Sequence, residues 1–286
     1  MSEPKNMPLK EHDSRKAAAE PAQILCQHAN GSCGACCGVY NFYERDEANT
    51  HRRLRRRTAL VKSAWPNPKA LERARDILMK EEKDDVLFAH VLVCPFAGFV
   101  DEEDDERVGC LLHPTRHPEG EDLRDLSVYP KEICRDHFCA PHDWLRPREI
   151  KFAQSVRGVD YGRIVTDAGL VKALLILVEE ALGRSLKDDD FQKHPTHFDK
   201  FWQYLLKWPH RDSDPYRFGA FFVTGDDAVE RTLPSALEGY EIEASTKERT
   251  VLNGLSTEVE DKEHAERALS DLRACIGRLV RSVDAS

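Results

Sequence analysis

LVKALLILVEEALG, residues 170–183, decides the architecture of the C-terminal half. It is the most apolar helical stretch of the chain, with Asp167 as an N-cap and Gly183 at its end. It is short and carries Lys172, Glu179 and Glu180, so it cannot span a bilayer. Downstream, HFDKFWQYLLKW (197–208) sets Phe198, Phe201, Trp202, Leu205 and Leu206 in one apolar stripe. The chain closes on a predicted helix over 258–283, where Ala265, Ala268, Leu269, Leu272, Ile276 and Leu279 recur on one side. Between these two helices, RFGAFFVTGDD (217–227) reads as a strand or buried turn.

Upstream of about residue 150 the texture differs. Residues 1–25 contain no apolar run and read as a flexible tail rather than a secretion signal. Helices are predicted over 44–62, stopping before AWPNP, and through PKALERARDILMKEEK (68–83). DVLFAHVLVCPF (85–96) has the β-branched, apolar character of a buried strand. If it pairs with VGCLLHP (108–114) across the acidic run DEEDDER (101–107), Cys94 and Cys110 meet at the mouth of a hairpin. The expected fold is α+β and predominantly helical: a small cysteine-rich metal-binding region with a short β-hairpin, packed against helices. Its parts are a tail (1–25), the cysteine-rich region (26–149) and a mainly helical region (150–286).

Eight of nine cysteines lie in the first half, and three of them fall within CGACC at 33–37. An odd number, sparsely spread, does not make a secreted disulfide scaffold. In a reducing compartment such as the cytoplasm, clustered thiols point to metal or catalysis. Cys33 and Cys36 have the C-x2-C spacing that aims two sulfurs at one centre, and Gly34 removes bulk inside the turn. Cys37 points away from its neighbour on an extended chain, so it needs turn geometry or a second centre. Cys94 and Cys110 offer a second pair, and Cys134 adds a further thiol. Cys26, Cys139, His113, His137 and His142 are weaker candidates, the histidines arising from three C-x2-H steps. Cys275, on a helix face, reads as a core residue.

CGACC, the CPF from Cys94, the GCLLHP around Cys110 and the later Cys134 together resemble the YkgJ-like family of zinc- or iron-chelating proteins, known by its CxxCxxCC or CGxCC signature. The resemblance covers about residues 26–140. It implies metal binding through Cys33, Cys36, Cys37, Cys94, Cys110 and Cys134, without naming a reaction. The family places Arg-Pro shortly before its last cysteine, whereas here RHP (116–118) is followed by a long stretch before Cys134.

Zinc and an iron–sulfur cluster draw on the same thiols, so both stand as the expected cofactor. The expected function is that of a cytoplasmic metal-binding protein. The alternatives are a metal-dependent redox or methyl-transfer enzyme using the same centre, and an interaction protein braced by zinc. The adjacent Cys36 and Cys37 leave a thiol redox switch as a further reading. Fifty-one acidic residues against 42 Lys and Arg give a net charge of -9, which argues against a dedicated nucleic-acid surface. RRLRRR (52–57) scatters its charges around a helix and has ERDE just upstream. Neither H-E-x-x-H nor G-x-S-x-G occurs, and no glycine pattern opens a dinucleotide fold. A protein partner is expected, if anywhere, on the C-terminal helices, and no membrane is.

Overall fold

The computed structural model describes residues 25–28, 31–100, 107–117, 120–211, 222–224, 228–230 and 237–285. The N-terminal tail, the acidic run at 101–106 and most of RFGAFFVTGDD lie outside the described residues.

The described chain begins with two short paired strands, β1 (Gln27–His28) and β2 (Gly31–Ser32). Helix α1 (Glu47–Ala64) starts where the Asp46 carboxylate accepts the Asn49 N–H at 2.8 Å. Pro66 opposes its continuation, and α2 (Pro68–Glu82) begins at once with Asn67 as cap and Pro68 in its first turn. The predicted hairpin is present as β3 (Ala97–Phe99) and β4 (Val108–Cys110), antiparallel, with Ala97 opposite Cys110.

The strand does not extend back through DVLFAHVLVCPF as expected. Apart from one bridge between Val86 and Phe42, that segment is irregular. The reason is Asn41. Its amide donates to the carbonyls of Phe88 and Val91, both at 3.0 Å, and its carbonyl oxygen accepts the Phe88 N–H at 3.0 Å. Backbone groups that a ladder would need are taken by one side chain, and the chain wraps around it.

The remaining elements are α3 (Lys131–Asp136), α4 (Ala140–Trp144), α5 (Pro147–Ala153), α6 (Tyr161–Val165), α7 (Ala168–Leu182), α8 (Asp188–Lys193), α9 (Pro195–Leu206), β5 (Phe222–Thr224), β6 (Ala228–Glu230), α10 (Thr246–Gly254) and α11 (Lys262–Asp284). The described fold is thus predominantly helical. Its strands form three separate antiparallel pairs rather than a layer. In α7 the Asp167 carboxylate accepts the Leu170 N–H at 2.9 Å, and Gly183 ends the helix in the left-handed region at φ 70°. α7 packs against α5, α10 and α11 in the largest core, filled by Phe152, Tyr161, Phe198 and Trp202. No helix among the described residues is long and apolar enough to cross a membrane.

Two smaller apolar clusters lie in the first half. One joins α1 and α2 to Cys94, Phe96 and Leu112, and the other gathers Val39, Leu54, Phe99 and Val108. This half is tied to the helices by long-range bonds from tyrosines. The Tyr161 hydroxyl donates to the Leu25 carbonyl at 2.6 Å, and Tyr40 donates to Val159. Cys33 and Cys139 pack on the edge of the large core.

Candidate functional site: a cysteine-lined cavity

The CGACC turn is compact because two glycines permit it. Residues Ala35–Cys37 form one 3-10 turn, closed by Gly38 at φ 71°. A Cβ on Gly38 would lie 2.7 Å from the Leu92 carbonyl oxygen, and one on Gly34 would lie 2.6 Å from Val39. Neither position admits a side chain without displacement. The Cys33 N–H donates to the Cys26 carbonyl at 3.0 Å, which sets these two cysteines opposite each other beyond the β1–β2 pair. The Cys94 N–H donates to the Cys37 carbonyl at 3.0 Å and lays the CPF loop against the turn.

Cys36, Cys37, Cys94, Cys110 and Cys134 line one cavity of about 270 Å³. β4 delivers Cys110, and α3 delivers Cys134, whose sulfur is 4.0 Å from the Ser127 hydroxyl. Phe96, Ala97 and Ile133 supply apolar wall, and Ser127 and Tyr129 contribute hydroxyl-bearing side chains. His113, His137 and Arg124 supply the polar side. Arg124 grips Asp122 through two hydrogen bonds of 2.8 and 2.7 Å, which hold the Asp122 carboxyl down at about 2.

Every resolved thiol shift is upward, and burial is the leading cause each time. Cys110 is pushed up to about 12 by burial and then by the neighbouring Cys94 sulfur. Cys37 is raised well above its ordinary value by burial, then by Cys94 and Cys110. Cys94 is raised by burial, with Phe96 N–H and Arg57 opposing. A second neighbourhood involves different partners. Cys26 is pushed up to about 11 by burial, then by Cys139 and Cys36, and Cys33 is raised in the same surroundings. Cys36 is raised by burial and then by Cys139. Cys36 and Cys37 therefore feel different sulfurs although they are adjacent in the chain.

These neighbourhoods are not metal centres. Among the described residues, no group of three or more His, Cys, Asp and Glu side chains is arranged to hold a metal ion. Zinc requires four donors at about 2.0–2.3 Å from one point, and an iron–sulfur cluster requires four converging thiolates. Cys33, Cys36, Cys37, Cys94, Cys110 and Cys134 share neighbourhoods without such convergence. The weaker candidates do not complete it. His113 turns its Nδ1 to the Thr115 hydroxyl at 2.7 Å, and His142 has its Nδ1 3.8 Å from Asp143. Cys26 and Cys139 belong to the second neighbourhood, and His137 lines the first without completing a donor set. The expected zinc or iron–sulfur cofactor is corrected on this ground, and with it the metal-binding function, its metal-dependent enzyme and zinc-braced alternatives, and the YkgJ-like resemblance. No family model matches the chain, and neither do any curated proteins or solved structures.

Four arginines of the run are engaged in ion pairs. Arg52 pairs with Glu44, Arg56 with Glu81, Arg57 with Glu82 and Arg53 with Asp85. Arg57 also donates to the carbonyls of Cys94 and Ala97, at 3.2 and 3.3 Å, and so braces the loop that carries Cys94. Neither that role nor those of Arg124 and Tyr129 was visible in the sequence. Tyr129 lines the cavity and donates to the Leu92 carbonyl at 3.3 Å, beside the turn glycine. Its only signal was proximity to Cys134, within the long stretch that follows RHP.

Proposed function

We propose that this protein takes part in thiol–disulfide exchange through Cys36, Cys37, Cys94, Cys110 and Cys134. The observation that supports it is that five cysteines, all free, line one cavity. The co-reactant is a small disulfide of the oxidised-glutathione class. Cys36 and Cys134 are exposed and meet it first, whereas Cys94 is buried and Cys37 and Cys110 are half-buried.

An exposed thiol loses its proton and its sulfur attacks one sulfur of the small disulfide. The S–S bond breaks, and one small thiolate leaves and takes up that proton. A second cysteine of the cavity, deprotonated in turn, attacks the mixed disulfide and expels the other small thiol. The cysteine pair is oxidised by two electrons, and the small disulfide is reduced to two thiols that carry the two protons. Cys134 acts electrostatically on Cys37, Cys94 and Cys110, and Cys36 acts on Cys37, so the second step has candidate partners beside each exposed thiol. Raised thiol pKa values make the exchange slow at neutral pH, because only the thiolate attacks. Nine free cysteines support a reducing compartment, and hence the cytoplasm, as the setting.

The test is incubation with oxidised glutathione at pH 8, followed by digestion and mass mapping without reductant. The expected product is a reducible cross-link that joins two of three peptides: the one holding Cys36 and Cys37, the one holding Cys134, and the one holding Cys94 or Cys110. Glutathione adducts alone, with no internal cross-link, would overturn the proposal.

A further inference from the structure

A second cavity, of about 680 Å³, opens between α9 and α11, far along the chain from the thiol site. The charged side chains that line it are all basic: Lys200 from α9, Arg278 and Arg281 from α11, with His197 beside them. In a chain of net charge -9 that concentration needs a cause. A cation in the last turn of α11 complements the helix dipole, and this explains Arg281 but not Arg278, which lies a turn further in. In α9 Lys200 stands at mid-helix, where neither end of the dipole favours a cation. Lys200, Arg278 and Arg281 have no carboxylate partner among the described residues. Asp271, which shares the Tyr204 surroundings, accepts instead from His210 at 2.9 Å.

The floor of the groove is aromatic and apolar. Phe201 and Leu279 line it, and the Arg278 guanidinium lies over the Tyr204 ring at 5.0 Å from its centroid. Cationic groups on the walls and a ring on the floor suit one ligand that carries both an anionic group and a flat ring. We propose that this groove binds nucleoside phosphates, the phosphates held by Lys200 and Arg281 and the base stacked on the planar Arg278 guanidinium that lies over Tyr204. The proposal is independent of the thiol chemistry.

Titration calorimetry of the full chain with ADP tests it, with adenosine and inorganic phosphate as the two half-ligands. ADP is expected to bind with a dissociation constant of about 1 μM to 1 mM, and each half-ligand at least roughly tenfold more weakly. Lys200→Glu combined with Arg281→Glu, both at exposed positions, is expected to weaken ADP binding by at least about tenfold. Should that pair fail to fold by circular dichroism, Arg281→Gln alone is expected to weaken binding by a smaller factor. Four results would each overturn the proposal: no ADP binding at about 5 mM, unchanged binding in the folded charge variant, adenosine binding as well as ADP, or phosphate binding as well as ADP.

Discussion

Arg57 has no solvent exposure, yet it carries a permanent charge. The cost of burying it is offset by Glu82, which it meets at 2.6 and 2.8 Å, and by the carbonyls of Cys94 and Ala97. Removing the arginine leaves the Glu82 carboxylate without its charged partner and takes a donor from each of the two carbonyls, of which that of Cys94 keeps the Ala97 N–H at 3.3 Å. Arg57→Met is therefore expected to destabilise the fold by about 3–5 kcal/mol in urea unfolding, well beyond the effect of an exposed arginine. Arg52, paired with Glu44 across exposed surface, supplies the control: Arg52→Met is expected to change stability by under about 1 kcal/mol. Nothing in RRLRRR distinguishes these positions. The distinction arises from which helix face meets α2 and the CPF loop, a tertiary fact.

At the scale of elements, the five longer helices were legible and the short ones were not. α1, α2, α7, α9 and α11 each repeat an apolar face over several turns and carry recognisable caps or breakers. α3, α4, α5, α6 and α8 span 5–7 residues, too few for a period to declare itself. α10 had a signal that went unused. Ser245 and Glu248 form a capping box, the S-x-x-E spacing of a helix start. The hairpin was legible from its two apolar pieces, but its length was not, because Asn41 acts from a distant point in the chain.

The turn at Gly38 belongs to this scale too. Its backbone is left-handed, and the Leu92 carbonyl occupies the space of a side chain. Gly38→Ala must both strain the turn, at about 1–2 kcal/mol, and push the Leu92–Cys94 loop outward. The expected result is a lower unfolding midpoint together with faster alkylation of Cys94, read by mass spectrometry at limiting reagent. Faster alkylation of Cys275 in the same sample would mean general loosening rather than displacement of this loop.

For the whole molecule, the positions of the cysteines along the chain did not disclose what the thiols do. Cys37, Cys94, Cys110 and Cys134 line one cavity, whereas the expectation was a coordinated metal. Coordination depends on where each sulfur points within fractions of an ångström, and residue order carries no such precision. The collective consequence of burial is a pH dependence. Folding raises the thiol pKa from 9.0 to about 11 at Cys26 and about 12 at Cys110, with Cys33 and Cys37 moving the same way. The folded state thus holds these protons more tightly than the unfolded state. The associated stability is complete below pH 9 and is lost as pH rises from about 9 to about 12. Denaturant midpoints measured from pH 7 to 11 are expected to stay level as far as these thiols are concerned and then to fall. Cys110→Ala would lessen the fall, if its folding at pH 7 is intact.

Cys36 stands on the border between the two sulfur neighbourhoods, feeling Cys139 on one side and lining the cavity of Cys37 on the other. A bulky adduct at this one exposed atom would press at once on the amino-terminal hairpin and on the mouth of the cavity. A modification at position 36 is thus felt in both compartments at once.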